Sequence, residues 1–202
     1  MGDVDDRVRA AMRAVDRRGF LPRGQRRLAG SDQAVLIGHG ATCSQPSTVE
    51  TMLTMLAPRP GDRCLDVGAG SGWTTALLAH LVAPGGSVVG VEIEPALVGS
   101  ARANLVAAGY PDVRVTQADP DRLGLPGEAP FDRILVSAEA RELPHELLAQ
   151  LTDGGLMVVP VRGDLLAVDA RGDVLDRHGT YSFVRLRDGA RDRARRGRRS
   201  GR

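Results

Sequence analysis

From residue 63 onward, short apolar runs alternate with helical patterns, and this alternation limits the fold more than any other feature. RCLDV (Arg63–Val67), SVVGVE (Ser87–Glu92), VRVTQ (Val113–Gln117), FDRILVS (Phe131–Ser137), LMVVPV (Leu156–Val161) and LLAVDA (Leu165–Ala170) read as strands. Near-continuous apolar strands are buried on both faces, as in a mostly parallel sheet covered by helices. TTALLAHLV (Thr74–Val82), PALVGSARANLVAAG (Pro95–Gly109) and roughly Pro144–Leu151 supply helices between them. YSFVRL (Tyr181–Leu186) is expected as the last strand. The closing strands leave no room for a helical crossover, which predicts an antiparallel pair there. The expected class is α/β: a doubly wound, mostly parallel sheet with an antiparallel C-terminal strand pair, layered α/β/α.

Two helices precede the alternating region. DRVRAAMRAVDRR (Asp6–Arg18) puts Val8, Ala11, Met12 and Val15 on one stripe, and PSTVETMLTML (Pro46–Leu56) ends at the Pro58–Gly61 breaker. At 202 residues, with 42% hydrophobic and 26% charged, the chain carries core material for one domain. We expect that domain over residues 1–186, with residues 1–60 packed on it. Disordered, collagen-like and disulfide-scaffold classes are excluded, and no run approaches the ~18 apolar residues of a membrane span. The acidic start, Met1–Arg7, lacks the order of a secretory signal. Cys43 and Cys64 read as small buried hydrophobes, so a cytoplasmic monomer without membrane contact is expected. No Cys or His spacing suits a metal, and none is expected.

Every one of the 27 basic residues is Arg. From Arg185 to Arg202, nine Arg face two Asp, a net +7 that leaves about −5 for the rest of a chain whose total is +2. Residues 187–202 are expected to form a basic, disordered tail. Charge alone carries no base specificity, so no dedicated nucleic-acid partner is expected.

The sharpest motif is LDVGAGSGW, Leu65–Trp73, between the first strand of the alternating region and a helix. Gly68, Gly70 and Gly72 permit a tight turn and close approach of a ligand to Ala69, Ser71 and the loop backbone. The helix start behind them offers unpaired N–H groups. Trp73 stands where a dinucleotide fingerprint has its third glycine, which disfavours NAD or FAD, and a chain without Lys has no P-loop. Glu92, at the end of the next strand, is placed to accept hydrogen bonds from both hydroxyls of a ribose. Asp119 follows the third strand and can reach an adenine amino group or cap a turn. Asp66 either supports the loop or faces a cationic ligand. The pattern resembles class I S-adenosylmethionine-dependent methyltransferases, a Rossmann-like fold.

Upstream stands AVLIGHGATCSQPSTVETM, Ala34–Met52. With its Ile37-Gly38-His39-Gly40-Ala41-Thr42-Cys43-Ser44-Gln45-Pro46 stretch ahead of the glycine loop, it resembles the protein-L-isoaspartate O-methyltransferase family. The resemblance runs from about Asp6 to Leu186. It implies methyl transfer from S-adenosylmethionine to the α-carboxylate of L-isoaspartyl residues in proteins or peptides. It also implies cofactor contacts at Ala41, Thr42, Cys43 and Ser44, at Gly68–Gly72, and at Glu92 and Asp119. The serine matching Ser44 holds the substrate carboxylate in that family. The chain departs from the family at Pro120, where Gly is usual, and at Asp16 and Arg185, where Pro is usual.

The residues agree with that chemistry. A carboxylate, ordinarily titrating near pH ~4, is ionised at pH 7, so its methylation requires no general base. His39, His80, His145 and His178 are scattered without carboxylate partners at useful spacing. Ser44 is therefore expected to position the acceptor; its alternative role is the N-cap of the helix after Pro46. Two other readings remain: a nucleic-acid methyltransferase and a catalytically silent cofactor-binding protein. The first lacks support, since Ser137-Ala138-Glu139-Ala140 after the fourth strand supplies no aromatic for base stacking.

Overall fold

A computed structural model describes residues 2–187, so the basic stretch from residue 188 lies outside it. The chain opens with α1 (Gly2–Ala14), a hairpin of β1 (Val35–Gly38) and β2 (Ala41–Cys43), and α2 (Pro46–Leu56). There follow β3 (Arg63–Val67), α3 (Trp73–Val82), β4 (Ser87–Glu92), α4 (Pro95–Ala107), β5 (Arg114–Gln117) and β6 (Phe131–Val136). The last elements are α5 (His145–Leu148), β7 (Leu151–Val161), β8 (Asp164–Asp169) and β9 (Val174–His178). Seven strands form one sheet in the order β5-β4-β3-β6-β7-β8-β9. The pairs from β5 to β7 are parallel, and β7–β8 and β8–β9 are antiparallel.

The central strands are apolar because both of their faces are covered. Leu65 lies opposite Val89 on one side and Ile134 on the other. Together with Val67, Val91, Val136 and Met157 they form one core, closed by Leu147 and Leu148 of α5. Cys64, Leu135 and Val158 point to the opposite core, packed under α1 to α4. Leu53, Leu77 and Leu78 are fully buried there, each contributing roughly 1.5–3 kcal/mol by leaving water. The two layers are unequal: four helices cover one face, and a four-residue helix with loops covers the other.

Several expectations shift. The first helix covers residues 2–14, and a 3-10 turn, Arg17–Phe20, follows it. The helix expected over 144–151 stops at Leu148, because Leu151 already pairs with Phe131 as the start of β7. Buried Gln150 replaces the missing turn, bonding the Leu123 and Glu146 carbonyls and the Leu125 N–H. The last strand is not Tyr181–Leu186 but Val174–His178, exposed throughout. A turn organised by Asp169, which accepts from the N–H groups of Arg171 and Asp173, delivers that polar run to the sheet edge. Tyr181–Leu186 instead crosses outside the ladder, held by the Tyr181 N–H on the Gly163 carbonyl and by an isolated bridge between Glu139 and Arg185. The β1–β2 hairpin was not expected at all.

Candidate active site

Strand order reverses between β3 and β6: β4 and β5 lie on one side, β7 on the other. Diverging connections open a crevice at the carboxyl ends of parallel strands at such a point. A cleft of about 410 Å³ lies there, lined by Val67 at the end of β3 and Gly68 after it, Glu92 at the end of β4, Asp119 after β5 and Ser137 after β6. A roomier space of about 500 Å³ sits at the opposite strand ends, lined by Arg63, His80 and Arg114. Its two arginines are paired with Glu128, at 4.0 and 2.7 Å, so it presents no uncommitted chemistry of that kind.

The glycine loop and Glu92 form one unit. Glu92, 7% exposed, accepts from the Gly70 N–H at 2.9 Å and the Glu94 N–H at 2.9 Å. Both carboxylate oxygens are thereby aimed while keeping lone pairs for a ligand hydroxyl. Gly70 has φ +54 and a Cβ there would meet Ile37 at 3.3 Å. Gly72, φ +90, caps the start of α3 against Ala101, also at 3.3 Å. A side chain at either would be strained by the positive φ and would press its neighbour back by a few tenths of an ångström.

Asp66 supports this loop from beneath and does not line the cleft. It is fully buried, and its Oδ2 accepts from Thr74 Oγ1 at 2.7 Å and Thr75 Oγ1 at 2.6 Å. Ser137 Oγ donates to Oδ1 at 3.3 Å. Burial pushes the Asp66 carboxyl above its ordinary value, against the pull of those three hydroxyls. Of its two expected roles, the structure gives it the first.

Beside the loop, the segment upstream of α2 hangs on Arg17. This guanidinium, 4% exposed, donates to the carbonyls of Gln33 at 2.8 Å, Cys43 at 3.1 Å and Ser44 at 2.8 Å through Nη2. Nη1 reaches the carbonyls of Leu28, Ala29 and Ser31 at 3.5, 3.5 and 3.2 Å. It lies over the Trp73 ring, 5.3 Å from the centroid, and Trp73 Nε1 donates to the Val15 carbonyl. One cation thus ties the start of α3 to the backbone of Ser44. Sequence reading missed it, since a lone Arg in an Arg-rich chain carries no signal.

Ser44 is half-buried and does not cap α2. That duty falls to Asp32, which accepts from the Ser47 N–H at 2.9 Å and from Ser47 Oγ and Gln45 Nε2. Ser44 lines a small cavity of about 20 Å³ with Cys43, Ala69 and Ser71. This cavity shares Thr42, Gly68, Gly70 and Ser137 with the large cleft, so the two adjoin. Ala41, Thr42, Gly68, Gly70, Glu92 and Asp119 line the large cleft; Gly72 lines neither. Asp119 folds onto its own turn, accepting from the Asp121 N–H at 2.8 Å. Cys43 is buried, which raises its thiol pKa. Further lining residues escaped the sequence reading: Ser137, His39 and Glu94, the last two 3.6 Å apart, and the segment Val184–Arg187.

The fit to an adenosyl cofactor rests on this donor set: a crevice of suitable size and a buried carboxylate aimed by two N–H groups. Comparison with known proteins gives the same direction. The family model described as protein-L-isoaspartate(D-aspartate) O-methyltransferase matches residues 2–180. A protein-L-isoaspartate O-methyltransferase of Methanopyrus kandleri is 44% identical over 190 residues, 90% of this chain and 83% of that one. One from Aeropyrum pernix is 47% identical over 155 residues, 77% of this chain and 60% of the longer relative. Among solved structures, a Plasmodium falciparum protein-L-isoaspartate O-methyltransferase in complex with S-adenosyl-L-homocysteine superposes with TM-score 0.77 and 25% identity, covering 91% of each chain. With the match spanning nearly all of the described fold, the chain belongs to the protein-L-isoaspartate O-methyltransferase family.

Proposed function

We propose that this protein methylates the free α-carboxylate of L-isoaspartyl residues in damaged proteins and peptides, with S-adenosylmethionine as the donor. The observation that carries the reading is the junction of two spaces: the cleft at the switch point opens onto the cavity of Ser44 across Thr42, Gly68, Gly70 and Ser137. S-adenosylmethionine bound in the cleft would supply an electrophilic methyl group on a sulfonium. Glu92 would hold its ribose, with Asp119 and the Gly68–Gly72 backbone along the rest. No metal is needed for this transfer.

The chain's own task is to hold the acceptor. Ser44 Oγ and the N–H groups around Thr42–Ser44 donate to the carboxylate, which arrives ionised and needs no base. Holding one oxygen turns the other toward the cleft in a fixed line, and closing the junction strips its water. Ser44 positions and does not attack. In the ester so formed, the following backbone nitrogen displaces methanol to close a succinimide, and water opening that ring returns part of the material to a normal peptide bond, which makes the reaction a repair. The absence of an aromatic at 137–140 weighs against a nucleobase acceptor. We take residues 1–186 to act as a single domain, in the cytoplasm and as a monomer. Both thiols are free and buried, and no helix among the described residues is long and apolar enough to cross a membrane.

The test is methyl incorporation into an isoaspartyl peptide beside its aspartyl twin. Base-labile label on the isoaspartyl peptide alone is expected; label on neither, with cofactor bound, removes the assignment.

A further inference from the structure

We propose that Arg185 and Arg187 select isoaspartyl peptides whose neighbouring residues are acidic, an inference that rests on the activity proposed above. Both residues line the large cleft and both side chains are exposed. Neither guanidinium has a hydrogen bond or ion pair among the described residues. Their backbone is nonetheless held in place. The Glu139 N–H donates to the Val184 carbonyl at 2.8 Å, and the Leu186 N–H donates to the Glu139 carbonyl at 2.8 Å. Glu139 is itself anchored, accepting from the Gly163 N–H at 2.8 Å. The anchored groups bracket Arg185, Arg187 follows directly after them, and both residues line the same cleft.

The cleft also contains carboxylates, but they serve its other wall. Glu92 is aimed by the N–H groups of Gly70 and Glu94, and Glu94 faces His39. Asp119 closes its own turn, and Glu146 accepts from the Leu123 N–H at 3.3 Å. Asp121 is likewise engaged. These acids suit a ligand carrying a sulfonium and an ammonium group. The donor's single anion, its amino-acid carboxylate, accounts for at most one guanidinium, and nothing in its adenosyl moiety calls for another. A peptide lying across the junction leaves its flanking side chains at the mouth, where planar guanidinium forks match carboxylates. At exposed sites each such pair is modest, so the effect falls on substrate capture rather than on the chemical step.

The test uses the full chain and three isoaspartyl peptides that differ only in the residues on either side of the damaged site: Glu, Gln or Lys. The readout is the ratio of kcat/KM between the Glu and Lys peptides, so any loss of folded enzyme in a variant cancels. For the unaltered protein at low salt a ratio of about 10 is expected, mostly in KM. In the double variant Arg185→Gln/Arg187→Gln it should fall to about 1, and Arg185→Lys/Arg187→Lys should keep most of it. Salt of about 0.5 M should erase the preference, because screening then acts within a few ångströms. A ratio near 1 in the unaltered protein, or one unchanged in the double Gln variant, overturns the inference. Methyl transfer to RNA offered in competition overturns it also, by assigning the arginines to phosphate. If no peptide is methylated, the activity itself falls, and this selectivity with it.

Discussion

The two walls of the active site are built on different principles. The wall proposed for the cofactor is largely local: within 30 residues, β3, the glycine loop, α3 and β4 supply Asp66, Gly70 and Glu92, bonded mostly within that stretch, with Ser137 the one distant partner named for Asp66. The wall proposed for the substrate is assembled from distant pieces. Residues 28–44 are gathered around Arg17, and Val184–Arg187 arrive from the far end of the chain. The first wall inherits its rigidity from the sheet. The second has three-residue and four-residue strands and depends on one buried cation for its shape. Perturbing the substrate wall should therefore change turnover at nearly constant cofactor affinity, and perturbing the cofactor wall should do the reverse.

The largest effect is expected at Arg17. Arg17→Met removes a donor shared by six carbonyls; those of Leu28 and Ser31 keep other partners, while each carbonyl left unsatisfied in this part-buried setting costs about 1–3 kcal/mol before relaxation. A net loss of about 3 kcal/mol or more is expected in denaturant unfolding, with turnover falling further than cofactor affinity measured by calorimetry. Arg17→Lys should recover little, because a point cation cannot serve two rows of acceptors. Equal losses in both readouts would erase the distinction between the walls.

Ser44→Ala comes next. Loss of one donor to the acceptor should cut kcat about 100-fold, with cofactor affinity within twofold and the unfolding midpoint unmoved. Glu92→Gln should act in mirror image. Cofactor affinity is expected to fall about tenfold, since an amide accepts less well and turns a donor toward one of two N–H groups. Turnover at saturating cofactor should change less.

The smallest effects are in pH dependence, and they have opposite signs. The raised Asp66 carboxyl favours folding while protonated; that contribution is complete below about pH 3.8 and is lost as pH rises through its elevated value. Stability of Asp66→Asn relative to the unaltered protein should therefore improve with rising pH. Asp32 is held low by the Ser47 N–H and hydroxyl, so its contribution is present above about pH 3.8 and is lost as pH falls. Asp32→Asn should flatten the acid side alone. Thermal melts across a pH range of roughly 3–8 distinguish the two.

How much of each wall is legible follows from the same contrast. Alternating apolar runs and a glycine loop are short-range patterns, and β3, β4 and α2 fall where those patterns place them. Glu92 is found because a strand end is a fixed position. Arg17 leaves no trace, since its partners lie up to 27 residues away and are backbone carbonyls, which every residue has. The edge strand Val174–His178 is missed for a related reason: turn chemistry at Asp169 decides it, while burial, the signal of the other strands, is lacking. Tyr181–Leu186 misleads in the opposite sense, because its apolar side chains pack on the cores without joining the ladder.

The decisive measurement is a crystal structure of the protein with S-adenosylhomocysteine and an isoaspartyl peptide together. The account predicts the adenosyl group against Glu92, the peptide's free carboxylate within hydrogen-bond distance of Ser44 Oγ, and its second oxygen aimed across the junction at the thioether sulfur. A carboxylate seated away from Ser44, or an adenosyl group outside the cleft at the β3–β6 switch, would contradict it.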